Sequence, residues 1–421
     1  MIFFSFLLRW LLRHRLVEFL SMFKAYSLIS KVAIFSIKKI NNDSSLNILC
    51  IGRAIFDEEI EELSNNSSKL NYLVIPKIIF ISIFQFHFHR KIFDHINYHN
   101  DKNLDFEKIE YKKFLDNFLT ILFKELNIDA MMSANYVYSW QQELASICLE
   151  RKIPFVILHK EGMTSPSQYK NLVDTYTNGK FIGSRMLVYN DNIKNALIDA
   201  NIKGITKNNI VTVGVPRFDK YSSIGSIGSS VVFFSFYMED KLRHISLPET
   251  TKSELLQKSI NFHLEIMKFA KQSQHLNVTI KTKGGKRYLD YVLNIAKSNR
   301  LENLHNLKII NTGTPYELIQ DAFLVGGLNS SVLLEAILAK RQVFMPNFKN
   351  SLFEDYFINN EDLVNYVNSY EDLIKCINEF STYEYLEERN DLFLKEFIST
   401  PDGMSSIRAE NEIISVIKNK L

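Results

Sequence analysis

FLVGGLNSSVLLEAILAKRQVFMP, residues Phe323–Pro346, runs from an apolar strand through a small polar turn into an apolar helix. A second strand follows and ends at a proline. Gly326 and Gly327 are expected to end the first strand and let the backbone turn tightly. Asn329 or Ser330 can cap the helix. The free N–H groups and positive dipole end at a helix start suit an anion, naturally a phosphate. Ser330 and Ser331 add hydroxyl donors. Glu335, about one turn in on an otherwise apolar helix, could accept from sugar hydroxyls. Ordinary capping, with Glu335 a solvated helix residue, fits the same spacing.

The same strand–helix alternation extends in both directions. Toward the N-terminus the strand candidates are 46–52, 70–76, 128–134, 153–159, 185–190 and 209–216, with helices over 57–64, 107–126, 138–151 and 191–200. Ile109, Phe114, Phe118, Ile121, Leu122 and Leu126 recur at helical spacing. YSSIGSIGSS (221–230) is rich in Ser and Gly, nearly uncharged and aperiodic, and reads as a linker. Beyond it come strands 231–237, 277–282 and 307–311, and helices 253–273, 287–298 and 315–320. Two or three C-terminal helices follow Pro346. Alternation on both sides of one linker predicts an α/β protein of two Rossmann-like parallel-sheet domains, 41–220 and 231–400, facing a cleft. Ligands in such sheets bind at the carboxyl ends of the strands, near a topological switch point.

Composition agrees. The 421 residues are 46% hydrophobic and 23% charged, as in a soluble two-domain protein. Cys50, Cys148 and Cys376 are far apart in apolar settings, which argues against disulfides and cysteine metal sites and fits a reducing compartment. The net charge of +3 is uneven: residues 1–50 hold seven Lys/Arg against Glu18 and Asp43. Charges interrupt the opening MIFFSFLLRWLLRHRLVEFLSMFK too early for a spanning helix, and it lacks the marks of a signal peptide. Residues 1–40 read as an amphipathic segment, either an interfacial helix on anionic lipid or a helix packed on the protein's own core. No Walker stretch appears, and CIGRAIF (50–56) does not fit Gly-x-Gly-x-x-Gly, which disfavours a simple NTPase or dehydrogenase. Nucleic-acid binding lacks a fold motif. FQFHFHRKIFDHINYHN (84–100) would put His87 and His89 on one face of a strand, and His95 and His99 on one face of a helix. With Asp94 as the one nearby acid, a polar or acceptor-facing surface is expected, and no metal site.

Four stretches in order resemble the GT-B glycosyltransferases of bacterial surface carbohydrates, a group that includes CDP-glycerol glycerophosphotransferases and capsule and lipopolysaccharide transferases. The donor-nucleotide motif of that group is similar to the strand, paired serines and LLEAI of the opening segment. VGVPRFDKY (213–221) is similar to its Gly-x-Pro-Arg-x-Asp segment before the interdomain linker. NTGTPYELIQDAFLVGG (311–327) resembles its short helix before the donor strand, and PDGMSSIRAENEI (401–413) its C-terminal Asp-Gly-x-x-x-x-Arg helix. The resemblance covers roughly 150–420. It implies a C-terminal helix, 401–421, crossing back to the first domain. It also implies a donor site that includes Thr314, Gly327, Asn329, Ser330, Ser331 and Glu335.

The sequence departs from the pattern at TIKTKGGKRY (279–288), where the related families carry His-Pro against the donor phosphate. Lys281 and Lys283 offer cations instead, and Gly284-Gly285 could admit backbone amides to a phosphate. In HKEGMTSPSQY (159–169), His159 and Glu161 are the residue types that can take a proton from an acceptor hydroxyl. The acidic-acidic-Gly motif of sialyl- and polysialyltransferases would place the base on Glu161; the His-Gly of the glycerophosphotransferases would place it on His159. Arg217 and Asp219 lie at the domain junction and either reach the cleft or form a hinge ion pair.

The expected function is therefore transfer of a sugar from a nucleotide-activated donor, a co-substrate, to a glycan acceptor that is lipid-linked, without metal or other cofactor. It would take place in the cytoplasm, on the inner membrane face. The alternatives are a CDP-glycerol-type transferase, a UDP-GlcNAc 2-epimerase-like enzyme, and a non-catalytic glycan- or partner-binding protein.

Overall fold

The computed structural model describes residues 16–40, 44–67, 69–89, 97–160, 162–164, 166–243, 245–348, 356–357, 360–379 and 387–419. The amphipathic reading of residues 1–15, and the readings of Glu161 and His95, lie outside the described residues. The chain forms two compact units. The first is Met1–Asp219 with Lys395–Leu421, and the second is Lys220–Leu394.

The first unit holds β1 (Lys38–Ile40), β2 (Leu46–Gly52), β3 (Leu70–Pro76), β4 (Ile128–Ser133), β5 (Phe155–His159), β6 (Arg185–Val188) and β7 (Ile210–Thr212). They are ordered β1-β3-β2-β4-β5-β6-β7. Only the edge pair β1/β3 is antiparallel. Helices cover such a sheet on both faces, so its strands read as near-continuous apolar runs. Ile48 to Ile51 of β2 are all buried. The helix Asp105–Leu126 buries Tyr111, Phe114, Phe118 and Leu122, and ends on Asn127 at φ 49. Ile109, expected on its inner stripe, is exposed instead.

The second unit holds β8 (Ser230–Phe234), β9 (Asn277–Lys281), β10 (Leu307–Ile310), β11 (Ala322–Gly326), β12 (Gln342–Pro346) and β13 (Asn365–Val367). The order β10-β9-β8-β11-β12-β13 is parallel throughout. This is the doubly wound order in which the winding reverses between the first and fourth strands, here β8 and β11.

One reading is corrected. Residues 84–87 are not a strand: IIFISIFQFH forms the helix Ile78–His87, and His89 follows at φ 50. A short, uniformly apolar run carries no period to separate helix from strand. His99 bonds Gln142 through Nε2 at 2.9 Å. Among the described residues no group of three His, Cys, Asp or Glu is placed to hold a metal. The Ser/Gly-rich segment 221–230 follows the division between the units, and its far end is tied down. Ser229 and Ser230 donate their N–H groups to Asp321 O, at 3.0 and 3.1 Å. The buried Arg341 guanidinium gathers the carbonyls of Ser226, Ile319 and Gln320.

Within the first unit, 213–219 and 402–408 interlock. Asp219 accepts the N–H groups of Ser405 (3.0 Å) and Ser406 (2.6 Å), and so caps the helix Ser405–Lys418 from outside its own segment. Arg408 donates to Val213 O at 2.9 Å and to both oxygens of Asp402. Gly214 sits at φ +90, and a Cβ there would lie 2.3 Å from Ser405 Oγ. Arg217 pairs with the buried Glu59, whose Oε2 also takes the Arg217 N–H at 2.8 Å and whose Oε1 takes Tyr189 Oη at 2.6 Å. The ion pair of this segment is thus Arg217–Glu59, and Asp219 is a helix cap. Removing one partner of such a pair strands a buried charge. Arg217→Met should therefore cost about 3–5 kcal/mol in denaturant unfolding, whereas Arg408→Met, on the half-exposed side, should cost far less.

Candidate functional site

The carboxyl ends of β8, β9 and β11 open a cavity of about 450 Å³ in the second unit. It sits where the strand order reverses, because crossovers on opposite sides of β8 leave the loops there diverging. The end of β8 contributes Phe234 to Tyr237, β9 contributes Lys281, Thr282 and Lys283, and the turn after β11 contributes Leu328, Asn329 and Ser330.

Three lysines, Lys241, Lys281 and Lys283, line the cavity against one acid, Asp240. Asp240 is already engaged: Tyr288 Oη donates to it at 2.7 Å and Arg287 pairs with it at 3.0 Å. The Tyr288 bond, with Arg287 beside it, holds its carboxyl below the usual range. Lys281 donates Nζ to Thr282 O at 2.8 Å, and burial lowers its pKa. Lys283 Nζ lies 5.8 Å from the centre of the Tyr288 ring. Asn329 takes the left-handed region at φ 37, and its buried Oδ1 has no hydrogen-bond partner among the described residues. Ser330 is the N-cap residue of the helix Ser331–Leu338, and its side chain makes no capping bond. A positively charged space with unspent backbone and amide groups at one end is built for a polar anion.

Sequence reasoning missed the group under the floor of this cavity. Ser235 Oγ lies 2.8 Å from Nε2 of the wholly buried His263, whose Nδ1 meets Ser259 O at 2.7 Å. The carbonyl fixes the proton on Nδ1, so Nε2 accepts from Ser235 and turns the serine's lone pairs elsewhere. Burial pushes the His263 pKa down to about 4. His263 reads in sequence as one more polar residue on a long amphipathic helix, with nothing to mark it.

The expected donor residues divide. Lys281, Lys283, Asn329 and Ser330 line the cavity. Ser331 and Glu335 do not: Ser331 Oγ donates to Glu335 Oε1 (3.4 Å), Tyr221 Oη donates to Oε2 (2.7 Å), and Glu335 is buried. Thr314 is spent in a capping box with Glu317 at the start of the helix Pro315–Gln320. Gly327 donates its N–H to Phe344 O at 3.2 Å. The pair of glycines is not a left-handed turn: neither has a positive φ, and a Cβ on Gly326 would lie 2.1 Å from the Phe344 ring. Gly284 stands in open space, and Gly285 precedes the helix Lys286–Ser298.

In the first unit, His159 ends β5 fully buried, its Nε2 3.4 Å from Tyr176 Oη and its ring against Tyr136. An imidazole enclosed by two tyrosines is a poor position for a base that must meet an acceptor. The loop beyond it is anchored by Asn190, whose Nδ2 donates to Gly162 O (2.8 Å) and to Phe397 O (2.7 Å).

No family model and no curated protein matches this chain. Solved structures do. A Listeria monocytogenes protein described as a putative UDP-N-acetylglucosamine 2-epimerase superposes with a TM-score of 0.54 at 10% identity, over 89% of this chain and 97% of that one. The Methanocaldococcus jannaschii UDP-GlcNAc 2-epimerase gives 0.51 at 14% identity, over 87% and 99%. The S. aureus MnaA–UDP structure gives 0.50 at 11%, over 89% and 98%. These likenesses show the fold: an α/β chain of two Rossmann-like parallel-sheet units.

The titration of His263 gives a stability prediction. Its folded pKa lies below the ordinary value of 6.5, so the unfolded chain takes up the proton first on acidification. The stabilising contribution is complete above pH 6.5 and declines as pH falls toward 4. Thermal melting across that range should show the loss in the wild type, and His263→Gln should reduce it, leaving the part due to His87, whose pKa burial also lowers to about 4.

Proposed function

We propose that the chain is a glycosyltransferase of the bacterial surface-carbohydrate group. It takes a sugar from a nucleotide-activated donor to a lipid-linked glycan acceptor, on the cytoplasmic face of the membrane. The observation that carries this reading is the lysine-lined cavity at the switch point of the second unit. The donor diphosphate lies against Lys281 and Lys283, with the helix start at Ser330 and the Asn329 amide at its end. The aromatic stretch Phe234–Tyr237 suits the nucleoside.

The first unit binds the acceptor. Glu161, two residues beyond the enclosed His159 in sequence, is the proposed base, and His159 at the end of β5 is a positioning residue. The acceptor oxygen attacks the anomeric carbon as its proton passes to the carboxylate. The bond from that carbon to the diphosphate oxygen breaks, and the leaving group keeps the electron pair. Lys281 and Lys283 stabilise the charge that develops there. Attack from the opposite face inverts the anomeric centre.

Calorimetry with UDP, GDP, CDP and CMP tests the donor half. One nucleotide should bind, and Lys281→Ala and Asn329→Ala should each weaken it about tenfold or more, the scale of a hydrogen bond to a charged group. Unchanged affinity in both variants would overturn the site. Because burial lowers the Lys281 pKa, affinity should decline with rising pH below the range where an ordinary lysine titrates. Lys281→Arg should move that decline upward. Release of an epimerised sugar without any acceptor would replace transfer by epimerisation.

A further inference from the structure

The helices Leu16–Met22 and Tyr26–Ser36 of the first unit turn a row of large apolar side chains to solvent. Phe19, Met22, Phe23, Leu28 and Phe35 are each more than half exposed. Of the twelve large apolar side chains left exposed among the described residues, these five fall within twenty-one consecutive positions. Such a concentration is not the scatter expected of an ordinary surface.

The spacing is that of a face. Phe19, Met22 and Phe23 are three and four residues apart, and Leu28, Lys31 and Phe35 follow one side of the next helix. The opposite sides carry the packing: Val17 and Ser21 on the first helix, and Ile29, Ser30 and Ala33 on the second, are buried. The second helix lies along Asp105–Leu126, with the Tyr26 ring 4.9 Å from that of Phe114 and Ser30 Oγ 3.5 Å from Phe118 O. Phe106 and Ile109, also exposed, stand on that neighbouring helix.

Charge decides what covers the face. Residues 16–40 carry Lys24, Lys31, Lys38 and Lys39 against the single acid Glu18, and all four lysines are exposed, with Lys38 paired to Glu61. A two-fold contact between copies would bring these like charges together. An anionic bilayer complements them, with the rings at headgroup depth and the lysines toward the lipid charge. No helix among the described residues is long and apolar enough to cross a membrane.

We infer that the exposed face of residues 16–36 docks the first unit on an anionic lipid surface. The inference rests on the proposed lipid-linked acceptor, naming where that reading touches the membrane. Vesicle binding needs no donor, so its failure would leave the nucleotide site standing, and failure of the nucleotide site would leave it standing in turn.

The test is co-sedimentation of the full chain with vesicles of phosphatidylcholine alone and of phosphatidylcholine with phosphatidylglycerol. The chain should bind the anionic vesicles and release them at high salt. Phe19→Ser with Phe23→Ser should weaken binding about tenfold or more, the scale set by burying two aromatic rings. Lys24→Glu with Lys31→Glu should remove the preference for anionic lipid. Phe23→Trp supplies an independent reading, a blue shift of emission on vesicle addition beyond that of the wild type. Absence of vesicle binding, equal binding by the serine variant, or no added blue shift in the Phe23→Trp variant would overturn the inference. So would a dimer in light scattering that the serine variant dissolves, because a second copy would then cover the face.

Discussion

A parallel sheet cannot show either face to water. Each parallel strand needs a crossover, the crossovers are helices, and the helices bury both faces. Polar chemistry is thereby confined to the strand ends, and the reversal of winding decides which end opens. Here that constraint places β8, β9 and β11 around one cavity and leaves Lys281, Lys283 and Asn329 at its wall. The long apolar strands and the few charged residues that follow them are two consequences of the same rule.

The architecture was legible because the same rule writes itself into sequence. LNILCIG, LNYLVIP and QVFMP are strands at the positions their apolar runs and terminal Gly or Pro suggest. The elements that escaped notice lack that contrast. IIFISIFQFH is apolar throughout, and the three-residue strands β1 and β13 are too short to show a period. Helix 169–176 is largely exposed and offers few apolar anchors. The composition of 221–230 does not show the hydrogen bonds that hold its far end, made by the Ser229 and Ser230 amides and by the Arg341 guanidinium.

The site was legible in part, for a related reason. Sequence shows which residues stand after a strand but not which way their side chains turn. Glu335 looked like an acid beside the anion site, yet it accepts from Tyr221, more than a hundred positions earlier in the chain. Arg217 and Asp219 looked like partners, but each finds its counterpart across the first unit, in Glu59 and in the Ser405–Ser406 amides. The Gly-x-Pro-Arg-x-Asp and Asp-Gly-x-x-x-x-Arg stretches, read separately as motifs, are the two sides of one contact. The Ser235–His263 pair was invisible for the opposite reason, since a serine after a strand and a histidine in a helix are both commonplace.

The central claim is that the switch-point cavity of the second unit holds the nucleotide donor. Backbone amide exchange, recorded with and without a saturating nucleoside diphosphate, tests it most directly. The account predicts protection confined to the amides around Lys281–Lys283 and Asn329–Val332, with the ends of β5 and β6 unchanged. Saturable binding that protects other segments and leaves these amides exchanging as before would contradict it.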